Sequence, residues 1–374
     1  MRRISYVSGS RADFGLMAST LQLASSTLDV SICATGMHLS ESYGNTVQDI
    51  EATGLRVCAR IPVALEEQTG AAMAVALGHE LIGMTAVFQR ERPDLVVVLG
   101  DRGEMLAAAL AAIHLNIPIV HIHGGERSGT VDEPIRHAIS KLAHYHFVAT
   151  EGARQRLIRM GERESHIYIT GAPGLDGLKS SVCRSRAELC AEQDLSAVRP
   201  VALVVFHPVL QQASLAGEQM RALMQGVIDA DVQALCLMPN ADAGSTYIRD
   251  VLAEFQLHPD VRLATHLRRS DFVSWMGAAD VMVGNSSSGI IEAASLGLPV
   301  INVGDRQAER ERSGNVIDAP SDAKVIKSAV REALNAPRRE WINVYGDGAA
   351  GDRIVDLLTS LPLTPQLLMK TNAY

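Results

Sequence analysis

The sequence predicts an α/β protein built from two doubly wound, Rossmann-like domains that face each other across a cleft. Three observations carry this. Short runs rich in β-branched residues alternate with longer segments of helical periodicity, the pattern of parallel sheets covered by helices. The alternation restarts near Pro200, after a polar stretch rich in glycine and serine. The chemically rich motifs fall directly after apolar runs, where the strands of an open α/β sheet end and ligands bind.

Ile4 to Val7 is the first expected strand, and Val30 to Thr35, Leu95 to Leu99, Ile117 to Ile122 and His146 to Thr150 continue that sheet. Met73, Leu77, Leu81, Met84 and Phe88 recur at helical spacing within Ala72 to Arg90, so one face of this helix should pack on the sheet before Pro93 ends it. The second sheet is expected from Val201 to Phe206, Ala234 to Met238, Val261 to Leu263, Val281 to Val283 and Val300 to Val303. Between the series, Gly171, Pro173, Gly174 and Gly177 mark a hinge. The expected domains are therefore residues 1–175 and 176–354.

Composition narrows the function. A chain of 374 residues, 47% hydrophobic and 20% charged, can bury the cores of two ordinary domains. A net charge of −8 gives no basic surface for nucleic acid or anionic lipid, so any phosphate must be met locally. The five cysteines are odd in number and scattered, with no Cys-x-x-Cys pair, which fits a reducing cytosol. After Met1-Arg2-Arg3 only Ile4 to Val7 is apolar before Gly9, Arg11 and Asp13 interrupt, too short for an export segment. No stretch is expected to be long and apolar enough to span a membrane. These readings lead to a soluble, cytoplasmic protein without nucleic-acid or membrane partners.

The motifs are polar turns at strand ends. Gly9 to Gly15 follows the first strand, where small residues allow a tight turn and Arg11 can set a planar cation against a phosphate; a merely structural turn is the alternative. Gly100-Asp101-Arg102 follows Leu95 to Leu99 and puts Asp101 at the mouth of the sheet, as a base or as an N-cap for a helix near Glu104. The densest cluster is His121-Ile122-His123-Gly124-Gly125-Glu126 followed by Asp132-Glu133-Pro134-Ile135-Arg136-His137. His121 and His123 would share one face if their strand persists, and Asp132 can cap a helix with Pro134 in its first turn. A local ion pair of Arg136 with Asp132 or Glu133 is the plain alternative to a catalytic assembly. His144 and His146 read as structural.

In the second half, Phe206-His207-Pro208 ends a strand and makes His207 a candidate ligand contact from the opposite wall. Gly284 to Glu292 is a strand end opening into a helix, with Ser286, Ser287 and Ser288 placed to receive phosphate oxygens and Glu292 one turn on, where it can meet ribose hydroxyls. A serine N-cap followed by a solvated glutamate is the alternative.

With these motifs in this order, the chain resembles the hydrolysing UDP-N-acetylglucosamine 2-epimerases of the bacterial sialic-acid type. Gly36-Met37-His38, Ser128 to Leu142, Asn240 to Ser245 and Gly304 to Gln307 extend the resemblance over most of both domains. It implies a glycosyltransferase-B-like fold, a first domain completed by residues 355–374 that carries catalysis, and a second domain that holds UDP. It assigns Arg11, His207, Asn240, Ser286, Ser287, Ser288, Glu292 and Arg306 to UDP or sugar recognition. Asp101 and Asp132 match catalytic carboxylates, with His123, Glu126, Glu133 and Arg136 around them. His123 stands where some relatives have a glutamate.

The implied reaction is elimination of UDP from UDP-N-acetylglucosamine to 2-acetamidoglucal and hydration to N-acetylmannosamine, without a cofactor or a metal and in a homodimer or homotetramer. The same reaction on a UDP- or GDP-linked 2,4-diacetamido-2,4,6-trideoxyglucose, for legionaminic-acid synthesis, is the alternative. A metal-dependent hydrolase using His121, His123 and nearby carboxylates, and a non-enzymatic UDP-sugar sensor, are further readings.

Overall fold

The computed structural model of the chain describes residues 1–265, 267–336 and 339–374. The first half forms a parallel sheet of β1 (Arg3–Ser8), β2 (Asp29–Thr35), β3 (Arg56–Ile61), β4 (Leu95–Leu99), β5 (Ile119–Ile122), β6 (Tyr145–Val148) and β7 (Ile167–Ile169), in the spatial order 3-2-1-4-5-6-7. Its helices are α1 (Arg11–Ala24), α2 (Val47–Glu51), α3 (Gly70–Glu91), α4 (Gly103–His114), α5 (Asp132–Leu142) and α6 (Glu151–Arg159). After α7 (Arg186–Glu192), a second parallel sheet contains β8 (Val201–Val205), β9 (Gln233–Leu237), β10 (Val261–Ala264), β11 (Val281–Gly284), β12 (Val300–Val303) and β13 (Val316–Ala319), in the order 10-9-8-11-12-13. The helices of this half are α8 (Ala216–Asp229), α9 (Ser245–Phe255), α10 (Arg269–Ala278), α11 (Ser287–Ile291) and α12 (Ala323–Asn335), and α13 (Ala350–Ser360) follows.

Both orders are doubly wound. In each sheet the winding reverses beside the first strand, between β1 and β4 and between β8 and β11, and those two crevices are where such sheets bind ligands. The central strands Leu95–Leu99 and Val201–Val205 are buried throughout, because helices cover both faces. Alternate side chains feed different cores: Leu95, Val97 and Leu99 join Met17, Leu21 and Ile354, whereas Val96 and Val98 join Met84, Phe88 and Met105. The two Rossmann-like domains expected from the sequence are thus present.

The strands that sequence patterning missed lie at the sheet edges. In β3 the exposed Arg56 and Arg60 interrupt the apolar run, and β7 and β13 have three and four residues. One expectation about the membrane is corrected. Helix α3 is 22 residues long and contains an 18-residue stretch with a mean hydropathy of 1.5, so by length and composition this helix could cross a membrane. In the fold its Met84, Val87 and Phe88 enter the core, and its Glu80 accepts from Thr35 Oγ1 at 3.0 Å, while Val75 and Ile82 stay exposed.

The chain crosses between the domains twice, along adjacent paths. Ala172 N donates to the Tyr345 carbonyl at 2.8 Å, and Ala350 N donates to Asp176 Oδ1 at 2.9 Å. Helix α13 then lays Ile354 and Leu358 onto the α1 side of the first sheet. The C-terminal tail follows, and Lys370 donates to the carbonyls at the end of α5, including Lys141 O at 2.8 Å.

Candidate active site

The two crevices open toward each other, and the motifs occupy their rims. After β1, Ser10 and Asp13 form a capping box that starts α1, with Asp13 accepting from Ser10 N at 2.7 Å. This sets Arg11 in the first turn, facing the cleft. Its Nη1 is buried without a hydrogen-bond partner among the described residues, and burial lowers the guanidinium to about 10. A buried cationic donor without a partner is suited to an anionic ligand.

After β4 and β5 comes a compact cluster of charge. Asp101 pairs with the buried Arg136, whose other amine donates to the Glu126 carbonyl at 3.0 Å and to Ser128 Oγ at 3.3 Å. From the second domain Arg310 pairs with the Glu126 carboxylate and lies 3.9 Å from Asp101. Burial alone would raise Glu126, but Arg310 and then His123 outweigh it and hold the carboxyl at about 2. His123 Nδ1 lies 2.5 Å from Glu126 Oε1, and the ring lines the cleft. Arg306, also from the second domain, is 3.6 Å from Asp132. Three arginines thus face three carboxylates, and two of the three arrive across the cleft.

The opposite wall is equally fixed. His207 follows β8, and its backbone is bonded at both ends by the Asn285 side chain from the end of β11. Burial, and then the charge of Arg306, lower the His207 imidazole to about 3, so it is neutral near pH 7. Arg306 and Gln307 each donate to the Asn285 carbonyl at 3.1 Å. Gly284 has φ 143°, and a Cβ there would sit 2.0 Å from the Val205 carbonyl oxygen, so only glycine lets these strands meet. The cleft beyond spans about 980 Å³ of atom-free space, the solvent at its mouth included. Its lining combines the polar Arg11, His207 and Ser286 to Ser288 with the apolar Leu16, Leu237, Met238, Leu267, Phe272 and Ile291. An anion suits the polar group and a flat apolar ring the apolar one.

The structure brings Asp101, His123, Glu126, Asp132 and Arg136 together and sets Arg11, His207, Ser286, Ser287 and Ser288 around the cleft that His123 also lines, while Arg306 lies behind it, between Asp132 and the Asn285 carbonyl. Asn240 lies beside it, with its N–H 3.4 Å from His207 Nδ1 and its Nδ2 2.5 Å from Asp242. Glu133 points elsewhere and accepts from the N–H groups of Ser128 and Gly129 at 2.8 Å each.

Local expectations are corrected. Strand β5 ends at Ile122 and His123 has φ 63°, so His121 and His123 do not share a face. His121 instead bonds Ser140 Oγ at 3.0 Å and the Gly100 carbonyl at 2.7 Å. Asp132 is the first helical residue rather than the cap, and Arg136 pairs with Asp101 rather than with Asp132 or Glu133. Helix α11 has only five residues, so a phosphate there would meet local N–H and hydroxyl donors more than a long dipole. Glu292 is buried and ion-paired with Arg269, which also donates to the Gly174 carbonyl at 3.1 Å. Among the described residues no three of His, Cys, Asp and Glu are grouped to hold a metal ion.

Sequence reasoning missed Arg310 and Arg269, and gave no individual role to Arg102, Asp242 and Asn285 inside its motifs. Arg310 had a signal, since it lies four residues past Arg306 in the same loop. Arg102 bonds Glu104 at 2.9 Å and crosses to Asp242 at 3.3 Å, a contact between segments 140 residues apart.

A family profile described as UDP-N-acetylglucosamine 2-epimerase matches residues 22–359. The UDP-N,N'-diacetylbacillosamine 2-epimerase (hydrolyzing) of Legionella pneumophila subsp. pneumophila is 51% identical over 376 residues, covering 100% of both chains. A UDP-N-acetylglucosamine 2-epimerase of Neisseria meningitidis serogroup B is 32% identical over 350 residues, covering 93% of this chain and 92% of the relative. In three dimensions, a crystal structure of UDP-GlcNAc 2-epimerase from Neisseria meningitidis bound to UDP-GlcNAc superimposes with a TM-score of 0.80 at 21% identity, over 96% of this chain and 99% of that one.

Proposed function

Because the chain belongs to the UDP-N-acetylglucosamine 2-epimerase family, we propose that it is a hydrolysing 2-epimerase whose substrate is UDP-N,N'-diacetylbacillosamine. The products are UDP and 2,4-diacetamido-2,4,6-trideoxymannose. The observation that carries the substrate is the 51% identity, over the whole of both chains, to the Legionella enzyme of that name. The N-acetylglucosamine reading, first by motif resemblance, becomes the second, supported by the 32% identical Neisseria relative.

In this reading UDP lies in the large cleft with its base among Leu237, Met238 and Phe272 and its diphosphate between Arg11 and Ser286 to Ser288. The C2–H and C1–O bonds break, a C1=C2 double bond forms, and UDP leaves with the electron pair. Water then adds its oxygen to C1, while C2 takes a proton on the opposite face. His123, Asp101 and Asp132 divide the two proton transfers. Glu126 acts through His123: a carboxylate on Nδ1 fixes the tautomer that leaves Nε2 as the base. Arg11 and the serine donors stabilise the charge that grows on the departing phosphate.

The test is incubation with UDP-N,N'-diacetylbacillosamine and with UDP-N-acetylglucosamine in D₂O, with and without a chelator, followed by NMR. UDP together with a C2-deuterated free mannose-configured sugar from the first substrate is the expected result. A 2-epimer still attached to UDP would make the enzyme non-hydrolysing. Turnover of UDP-N-acetylglucosamine alone would reinstate the second reading, and turnover of neither would leave a binding role.

A further inference from the structure

Helix α5 carries Asp132 in its first turn and Arg136 in its second, so its placement sets two groups of the charged cluster. Its apolar grip on the fold is small. Ile139 is its one fully buried apolar side chain, with Ile135 and Leu142 partly buried against the same core. Polar ties at its two ends supply the rest. At the front, Arg136 pairs with Asp101 and donates to the Glu126 carbonyl and to Ser128 Oγ. At the back, Ser140 Oγ lies 3.0 Å from His121 Nδ1, and His121 Nε2 meets the Gly100 carbonyl at 2.7 Å, one residue before Asp101.

The last carbonyls of a helix have no intrahelical partner, and the helix dipole favours a cation beside them. In α5 that cation comes from the C-terminal tail. Lys370 Nζ donates to the carbonyls of Ser140 at 3.1 Å, Lys141 at 2.8 Å and Ala143, and pairs with Glu162 at 2.6 Å. A compact ammonium suits this convergence, because its three protons can be aimed at separate acceptors. Ser140 is thereby held twice, by its carbonyl through Lys370 and by its hydroxyl through His121. We propose that Lys370 is a positioning residue for the reaction. It fixes the C-terminal end of α5, and through that helix and the Ser140–His121–Gly100 chain it sets Arg136, Asp132 and Asp101. Lys370 lies outside the lining of the cleft and acts only through these groups. Its loss lets the helix shift, and a displacement of about 1 Å at reacting groups can cost up to about a hundredfold in rate. Arg11 and Ser286 to Ser288 stand on α1 and α11, so the proposed UDP contacts stay in place. The inference rests on the reading of Asp101 and Asp132 as proton-transferring carboxylates and adds a residue that places them.

The test measures kcat, KM and the Kd of UDP for the wild type, Lys370→Met, Lys370→Arg and Thr371→Ala, on whichever of the two UDP-sugars the wild type turns over. Lys370→Met keeps the other ties of the tail and of Glu162. Leu367 is buried, Ala373 N donates to the Gly161 carbonyl at 2.8 Å, and Glu162 retains Lys141 at 2.6 Å and His146 at 2.9 Å. Thr371→Ala removes the 3.2 Å bond from Arg163 and leaves the end of α5 capped, so it controls for loosening of the tail alone. The expected result is a fall in kcat of about tenfold to a hundredfold for Lys370→Met, with KM and the Kd of UDP within about twofold of wild type. Lys370→Arg, which keeps a cation at the helix end, loses less, and Thr371→Ala keeps the wild-type kcat. Amide hydrogen exchange in the last turn of α5 quickens in Lys370→Met and not in Thr371→Ala. An unchanged kcat in Lys370→Met, an equal fall in Thr371→Ala, or a loss carried by KM and UDP affinity would overturn the inference. A wild type inert on both sugars, or undiminished turnover in Asp101→Asn and Asp132→Asn, removes instead the reading on which the inference stands, and the inference with it.

Discussion

Asn285 holds the backbone of His207 at both ends: its Oδ1 accepts the His207 N–H at 2.8 Å and its Nδ2 donates to the His207 carbonyl at 2.8 Å. The residues end neighbouring strands, so this one amide locks the rim of the second crevice. Asn285→Ala should lower unfolding free energy by about 1–3 kcal/mol through two unsatisfied backbone groups and weaken UDP about tenfold. Denaturant titration and calorimetry check this; unchanged UDP affinity would remove Asn285 from the binding rim.

Gly284 precedes that amide, and its φ of 143° combines with a Cβ position 2.0 Å from Val205 O. Gly284→Ala must therefore push β8 and β11 apart. A loss of stability on the order of 3 kcal/mol is expected, together with loss of UDP binding. A thermal melt within about a degree of wild type would contradict the close approach, since a kcal/mol shifts the midpoint by several degrees.

Asp101 pairs with Arg136 and Asp132 lies beside Arg306, both outside the proposed base pocket. If they transfer protons, Asp101→Asn and Asp132→Asn should lower kcat by about 10²–10⁴ while the Kd of UDP stays within a few-fold. Undiminished kcat in both variants would sink the proposed mechanism.

His121 ties the Gly100 turn to Ser140, and burial lowers it from 6.5 to about 3. Above pH 6.5 the folded and unfolded states are both neutral at this ring. As pH falls below 6.5 the unfolded state takes up a proton that the folded state refuses, so stability is lost progressively down to about pH 3. Between pH 7 and pH 5 the wild type should lose roughly 2 kcal/mol more than His121→Gln. Urea titrations of both proteins at the two pH values measure that difference; equal slopes would mean that His121 is charged in the fold.

Much of the site was legible because strand ends are legible. Apolar runs such as Leu95–Leu99 and Val201–Val205 announce buried parallel strands, and polar residues directly after them must lie at the mouth of a sheet. Asp101, His207 and Ser286 to Ser288 were placed by that argument alone. Edge strand β3 was not, because an edge exposed to solvent carries Arg56 and Arg60 and has no continuous apolar run.

By itself the sequence determined two doubly wound domains, their strand-end motifs and a charge balance that requires local recognition of phosphate. Only the tertiary structure decided the partners. Arg136 is four residues from Asp132 in a helix, yet it pairs with Asp101 from another strand end, and Arg310 crosses the cleft to Glu126. Local spacing limits which charges can meet along one helix, whereas a buried charge takes the partner that the packing of separate elements brings within hydrogen-bonding distance.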